Sequence, residues 1–143
     1  MGARFAEIYA APAYGHQQAC ASLPEGPTEV ACRDELRQWL ERIAAERPRP
    51  LLAEVIRSDG DRLSVGLGRL RSFLSYVAAD GNPPYFSVVG DAQQGKVCFD
   101  RNGEPSYFAA RDTVPFEVAL EVACRFAQSR GLPLPELVEW EEV

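Results

Sequence analysis

Gly90 and the pair Gly95-Lys96, within VVGDAQQGKVCFD at residues 88–100, have the spacing of a phosphate-binding loop. In such a loop, backbone amides cradle phosphate and the lysine reaches the outer phosphoryl groups. That chemistry needs a helix after the lysine, whose first amides and positive dipole end face the anion, and a hydroxyl beside the lysine to hold magnesium. Here Val97 takes the place of the hydroxyl, the chain continues as the strand-like VCF, and Asp91 would repel phosphate. The sequence therefore predicts a strand connection and no nucleotide site. Gly66-Leu-Gly-Arg-Leu-Arg-Ser72 begins like a dinucleotide fingerprint but lacks the third glycine and runs into the strand-like FLSYV. Its glycines suit a bulge or the close approach of a helix.

Other reactive groups are isolated. His16 lies in an irregular segment with no metal-ligand or nucleophile partner at a recognisable spacing. Cys20, Cys32, Cys98 and Cys124 form no Cys-x-x-Cys pair and read as small apolar thiols, with Cys20 and Cys32 the one pair worth testing for a disulfide. Glu139 and Glu141 could share one face of a strand, but near the end of the sequence they read as a solvated face rather than an acid and base pair. The expectation is a protein with no catalytic residue, no cofactor and no metal.

Composition agrees with a binding role. The 143 residues are 46% hydrophobic and 25% charged, which suits one globular domain around a single core. No apolar run reaches the roughly 18 residues of a membrane span. The opening Met-Gly lacks the Ser or Thr that myristoylation wants at position six, where Ala6 stands. We therefore expect a soluble cytoplasmic protein that does not engage membrane. Residues 1–71 carry ten Lys or Arg and ten Asp or Glu, whereas residues 72–143 carry five and eleven, so the whole net charge of −6 belongs to the second half. Nucleic acid, which is bound by neutralising phosphates, is excluded as a direct partner. A basic protein would be steered in.

Periodicity supplies the elements. Leu36, Trp39, Leu40 and Ile43 recur at helical spacing between Arg33 and Arg47, and Pro48 and Pro50 forbid continuation. A short strand at Phe5–Tyr9 and an irregular stretch from Pro12 to Pro27 precede that helix. From Leu51 the period becomes two: LLAEVIR, RLSVGLG, FLSYVA, PYFSVV, KVCFD and PSYFAA form a meander of about six short strands. Asp59-Gly60 and Asn102-Gly103 are tight hairpin turns, the second flanked by the opposite charges of Arg101 and Glu104. Asp112-Thr113 and Pro115 mark the start of a second helix carrying Val118, Val122 and Phe126, with Gly131 at its exit. LVEWEEV adds a short strand. The fold class is α+β: one mainly antiparallel sheet with two helices packed on it, residues 1–50 supplying a strand and a helix and 51–143 the rest.

Five segments in order resemble immunity protein one, a family of bacterial polymorphic toxin systems: VGLGRLRSFLSYV, PPYFSVVGD, the helix opening VPFEVAL, Gly131-Leu-Pro with LPEL, and Val138-Glu-Trp-Glu141. The resemblance spans Arg62 to Glu142. It implies a single α+β domain that binds and silences a toxin encoded beside it, often a nucleic-acid cytidine deaminase. A toxin acting on nucleic acid presents a cationic groove, and an acidic protein can occupy that groove by the charge complementarity the substrate uses. Trp140, within EWEE, suits either of two positions, closing the core or anchoring a partner, and Glu139 and Glu141 flank it. Asp91, Tyr85, Tyr107 and Asp80 complete the expected contact set. Two other functions stay open on the sequence: a secretion chaperone or adaptor for a toxin, and a small-molecule domain using the glycine face at Gly66 and Gly68.

Overall fold

The computed structural model describes residues 6–10, 28–46, 50–68, 70–80, 85–88, 94–101, 104–128 and 139–142. Strands β1 (Ala6–Ala10) and β2 (Thr28–Val30) precede helix α1 (Arg33–Glu46). Strands β3 (Leu51–Arg57), β4 (Arg62–Leu67), β5 (Arg71–Val77), β6 (Tyr85–Val88), β7 (Lys96–Arg101) and β8 (Glu104–Ala109) follow. A turn of 3-10 helix (Ala110–Asp112), strand β9 (Thr113–Pro115), helix α2 (Phe116–Gln128) and strand β10 (Glu139–Glu142) complete the order. This is the α+β architecture expected, with both helices present. The sheet runs β10-β6-β5-β4-β3-β1-β2, so β3 to β6, four of the six strands expected, form a meander and short strands extend it at both edges.

One face of the sheet carries the helices. Leu63, Val65 and Leu67 of β4 alternate with polar and glycine positions and meet Leu36, Leu40 and Ile43 of α1 and Leu120, Val122 and Phe126 of α2 in one buried cluster. Each fully buried Leu, Val or Phe contributes roughly 1.5–3 kcal/mol of transfer free energy, so this face supplies most of the stability. Helix α1 begins where Glu35 reaches back to accept the Ala31 amide at 2.6 Å. The two helices are tied by Arg33 to Glu121 at 2.7 Å and Arg37 to Glu117 at 2.8 Å. Glu121 also accepts from Arg125 at 2.8 Å, and Arg125 and Arg33 together hold its carboxyl below its ordinary pKa.

The opposite face differs from the expected single core. The β7 and β8 hairpin leaves the meander, touches β3 through one parallel pair, Leu51 with Asp100, and covers the second face of the sheet. There Leu52, Phe73 and Phe99 form a separate buried cluster flanked by Val97 and Phe108. Phe73 and Phe108 stack with ring centroids 3.8 Å apart. The approach depends on Gly66: a Cβ there would stand 2.6 Å from the Phe99 ring, so only glycine leaves room. The glycine face thus receives an aromatic hairpin and not a helix. Arg101 and Glu104 are the closing pair of the β7 and β8 ladder, and the Asn102-Gly103 turn between them lies outside the described residues.

Two turns depart from expectation. The β3 and β4 hairpin has a three-residue loop, Ser58 to Gly60, closed by the Arg57 amide to the Asp61 carbonyl at 2.9 Å. The Gly60 amide donates to the Arg57 carbonyl at 2.9 Å, and Gly60, with φ of 94°, supplies the left-handed residue such a bulged loop requires. Asp112 and Thr113 do not cap α2. Thr113 to Pro115 pair with Arg71 to Phe73 of β5 as a strand, and α2 starts at Phe116, whose amide donates to the Leu70 carbonyl at 2.9 Å. Buried Thr113 is engaged elsewhere: its hydroxyl donates to the Ala110 carbonyl at 2.6 Å and accepts from Arg71 at 2.9 Å.

Candidate partner-binding surfaces

The acidic edge of the sheet rests on a buried polar node at the end of β3. Arg57 is 4% exposed although it carries a full charge. Its guanidinium donates to Asp59 at 3.0 Å, to Asp61 at 2.6 Å and to the Phe126 carbonyl of α2 at 3.0 Å. Burial opposes the Arg57 charge, but the hydrogen bond and charge of Asp59, with the charge of Asp61, more than offset it and hold its pKa above the ordinary value. Asp61 accepts two further bonds, from the Tyr76 hydroxyl and from the Ala79 amide, the latter at 2.8 Å. Burial, and then the Asp61 carboxylate, push the Tyr76 phenol up to about 12. Tyr76 in turn meets Trp140 of β10 edge-on, with centroids 6.5 Å apart.

Trp140 is half-buried and packs on the helix-side cluster. Strand β10 pairs antiparallel with β6, matching Trp140 with Ser87, Glu141 with Phe86, and Glu142 with Tyr85. Tyr85 is matched in register to Tyr76, so β10, β6 and the end of β5 meet at one corner. Exposed Asp80 follows β5 at that corner, next to the Ala79 amide that Asp61 holds. Of the expected contact set, Trp140, Glu139, Glu141, Tyr85 and Asp80 are thus gathered at one end of the sheet. Asp91 lies outside the described residues. Tyr107 is not with them, because it sits on β8 of the hairpin that covers the other face.

A second surface surrounds Tyr107. An open cleft of about 650 Å³ runs between Gly68, Leu70 and Arg71 on one side and Lys96, Val97, Cys98 and Tyr107 on the other. Leu70 is 90% and Tyr107 64% exposed, and they are the exposed large hydrophobic residues among those described. The sequence reading missed Leu70 and Lys96 as surface features. Leu70 precedes the predicted strand FLSYVA, and β5, which begins at Arg71, leaves it outside the ladder. Its position between Arg69 and Arg71 was the available signal. Lys96 is the only lysine of the chain, which its appearance in a phosphate-loop pattern had obscured.

The described residues contain no group of three His, Cys, Asp or Glu placed to hold a metal, and none of their helices is long and apolar enough to cross a membrane. Among the described residues Cys32 and Cys124 are free thiols, Cys124 being buried and its thiol pKa raised chiefly by that burial. Cys20 and His16 lie outside the described residues. The pocket that a small-molecule site would need at Gly66 is filled by the Phe99 ring.

No curated protein matches the chain. The family model of immunity protein Imm1 matches residues 24–142, which reaches past the motifs at 62–142 to include α1 and the strand before it. Helix α1, which carries part of the helix-side core, lies within the match. The chain belongs to the Imm1 family of immunity proteins.

Proposed function

We propose that this protein neutralises a cognate bacterial toxin by binding it, and that the toxin is a nucleic-acid-directed deaminase whose active-site groove is covered in the complex. The observation that carries the reading is charge placement in an immunity-family member: the net −6 falls entirely within residues 72–143, and β10, with sequence EWEE, forms an edge of the sheet. An acidic edge suits a groove that is basic because its substrate is a polyanion. The corner formed by Trp140, Glu139, Glu141, Tyr85 and Asp80, together with Asp91, is the docking surface in this reading. Tyr76 and the Arg57 node below it hold β10 in place, which limits the ordering cost of association.

Neutralisation of this kind is stoichiometric. It needs no cofactor, no chemistry by the protein itself and no direct contact with nucleic acid, and it takes place in the cytoplasm where the toxin would act. The whole chain serves as one binding unit. Co-expression with the adjacent reading frame tests this: cells that die with that frame alone survive when this protein is present, and the frame's product deaminates nucleic acid in isolation. Survival without detectable deamination would retain the immunity role and overturn the deaminase assignment. Death in both cases would overturn the immunity role.

A further inference from the structure

We propose that the cleft beside the β7 and β8 hairpin is a second toxin-contact surface, which takes a toxin segment presenting an apolar side chain next to a carboxylate. The proposal rests on the immunity reading above and adds a contact whose charge is opposite to that of the acidic corner.

Three observations carry it. First, Leu70 and Tyr107 stand on opposite sides of the cleft at 90% and 64% exposure, the exposed large hydrophobic residues among those described. Second, the cleft is preformed. The Phe73 and Phe108 stack at 3.8 Å and the seating of Phe99 on Gly66 fix the hairpin that forms one wall. On the other wall, Arg71 is held by bonds to the Thr113 hydroxyl at 2.9 Å and carbonyl at 2.6 Å. A preformed wall loses little freedom when a partner docks. Third, the described lining residues include two cations, Arg71 and Lys96, and no carboxylate among them, although the chain as a whole carries −6. The group that complements such a spot is an anion, and its neighbour must be apolar to meet Leu70 and Tyr107.

The basic groove of the toxin cannot be what lies here, because it would face Arg71 and Lys96. A different segment of the toxin must occupy the cleft. A second copy of this chain is a poorer occupant, because a two-fold contact centred on the cleft would set Arg71 and Lys96 of each copy against those of the other.

The test mixes the protein with the polypeptide of the adjacent reading frame, made catalytically inactive. Carbodiimide coupling, which joins an amine to a carboxylate only when they touch, is expected to link Lys96 to a toxin Asp or Glu, and peptide mapping separates this from coupling at the terminal amine. Leu70→Ser combined with Tyr107→Ser is expected to weaken the complex at least tenfold, and Lys96→Glu alone several-fold, with unchanged circular dichroism and melting. Binding by both variants within twofold of the parent would overturn the proposal while leaving the immunity reading intact. Coupling of Lys96 to a second copy of this chain without toxin, with toxin affinity unaffected by the variants, would overturn it in favour of self-association. A parent protein that fails to bind the toxin at all would remove the immunity reading and the cleft contact with it.

Discussion

Arg57 at the end of β3 lies over the ring of Phe126, 4.5 Å from its centroid, and donates to the carbonyl of that same residue at 3.0 Å. One charged side chain thereby fastens α2 to the sheet by both faces of a single helical residue, while Asp59 and Asp61 neutralise it.

Arg57→Ala should therefore destabilise the fold by about 3 kcal/mol, the lower end of the range for breaking a buried ion pair, because Asp59 and Asp61 keep some access to water. Urea unfolding of the two proteins checks this. Arg57→Met, which keeps the stem over Phe126, should lose less than Arg57→Ala.

Gly66→Ala should cost roughly 1–3 kcal/mol, since its Cβ would meet the Phe99 ring at 2.6 Å and push the hairpin off the sheet. In a double-mutant cycle, Phe99→Leu should recover part of the loss in the Gly66→Ala background while being destabilising alone. Additive losses would mean that the ring and the glycine do not meet in solution.

Tyr76 sets an alkaline limit. Its phenol titrates at 10.0 when unperturbed and at about 12 in the fold, so the folded state holds the proton more tightly. The resulting stability is fully present below pH 10, falls as pH rises from 10, and is gone above about 12. Urea midpoints measured from neutral pH upward should decline through that window, and Tyr76→Phe should be less stable at neutral pH but show a shallower decline. An identical slope in both proteins would remove Tyr76 as the cause.

Reversing Asp91, Glu139 and Glu141 together to Lys should slow association with the toxin by roughly tenfold at low salt, and added salt should slow the parent in the same direction. Stopped-flow rates at two ionic strengths read both effects. Rates indifferent to charge and salt would place the binding energy in shape and apolar contact instead.

Elements governed by local periodicity were legible in the sequence. Leu36, Leu40 and Ile43 marked α1, and Leu63, Val65 and Leu67 marked the helix-facing side of β4, because burial on one face imposes its period directly. Long-range choices were not. Gly66 suited a bulge, the close approach of a helix or a small-molecule face, and only the arrival of Phe99 from more than 30 residues away gives it its purpose. Arg57 closes the strand LLAEVIR, and its burial depends on the Phe126 carbonyl and ring, 69 residues away. Thr113 and Pro115 fit a helix start by type, yet Arg71 draws Thr113 into a strand. At the candidate surfaces, Trp140 and the carboxylates beside it were visible as a motif. Leu70 and Lys96 were not, because exposure is a property of the assembled hairpin and sheet.

Binding without chemistry and enzymatic inactivation differ in how toxin activity is lost. Titrating a fixed amount of the adjacent frame's product with the purified protein should extinguish activity at a molar ratio of one, with no change in the mass of either chain, and activity should return when the two are separated under denaturing conditions and the toxin is refolded. Loss at ratios far below one, or a covalent change in the toxin, would contradict neutralisation by binding by making the protein a catalyst; full activity at a molar excess would contradict it by leaving the toxin uncovered.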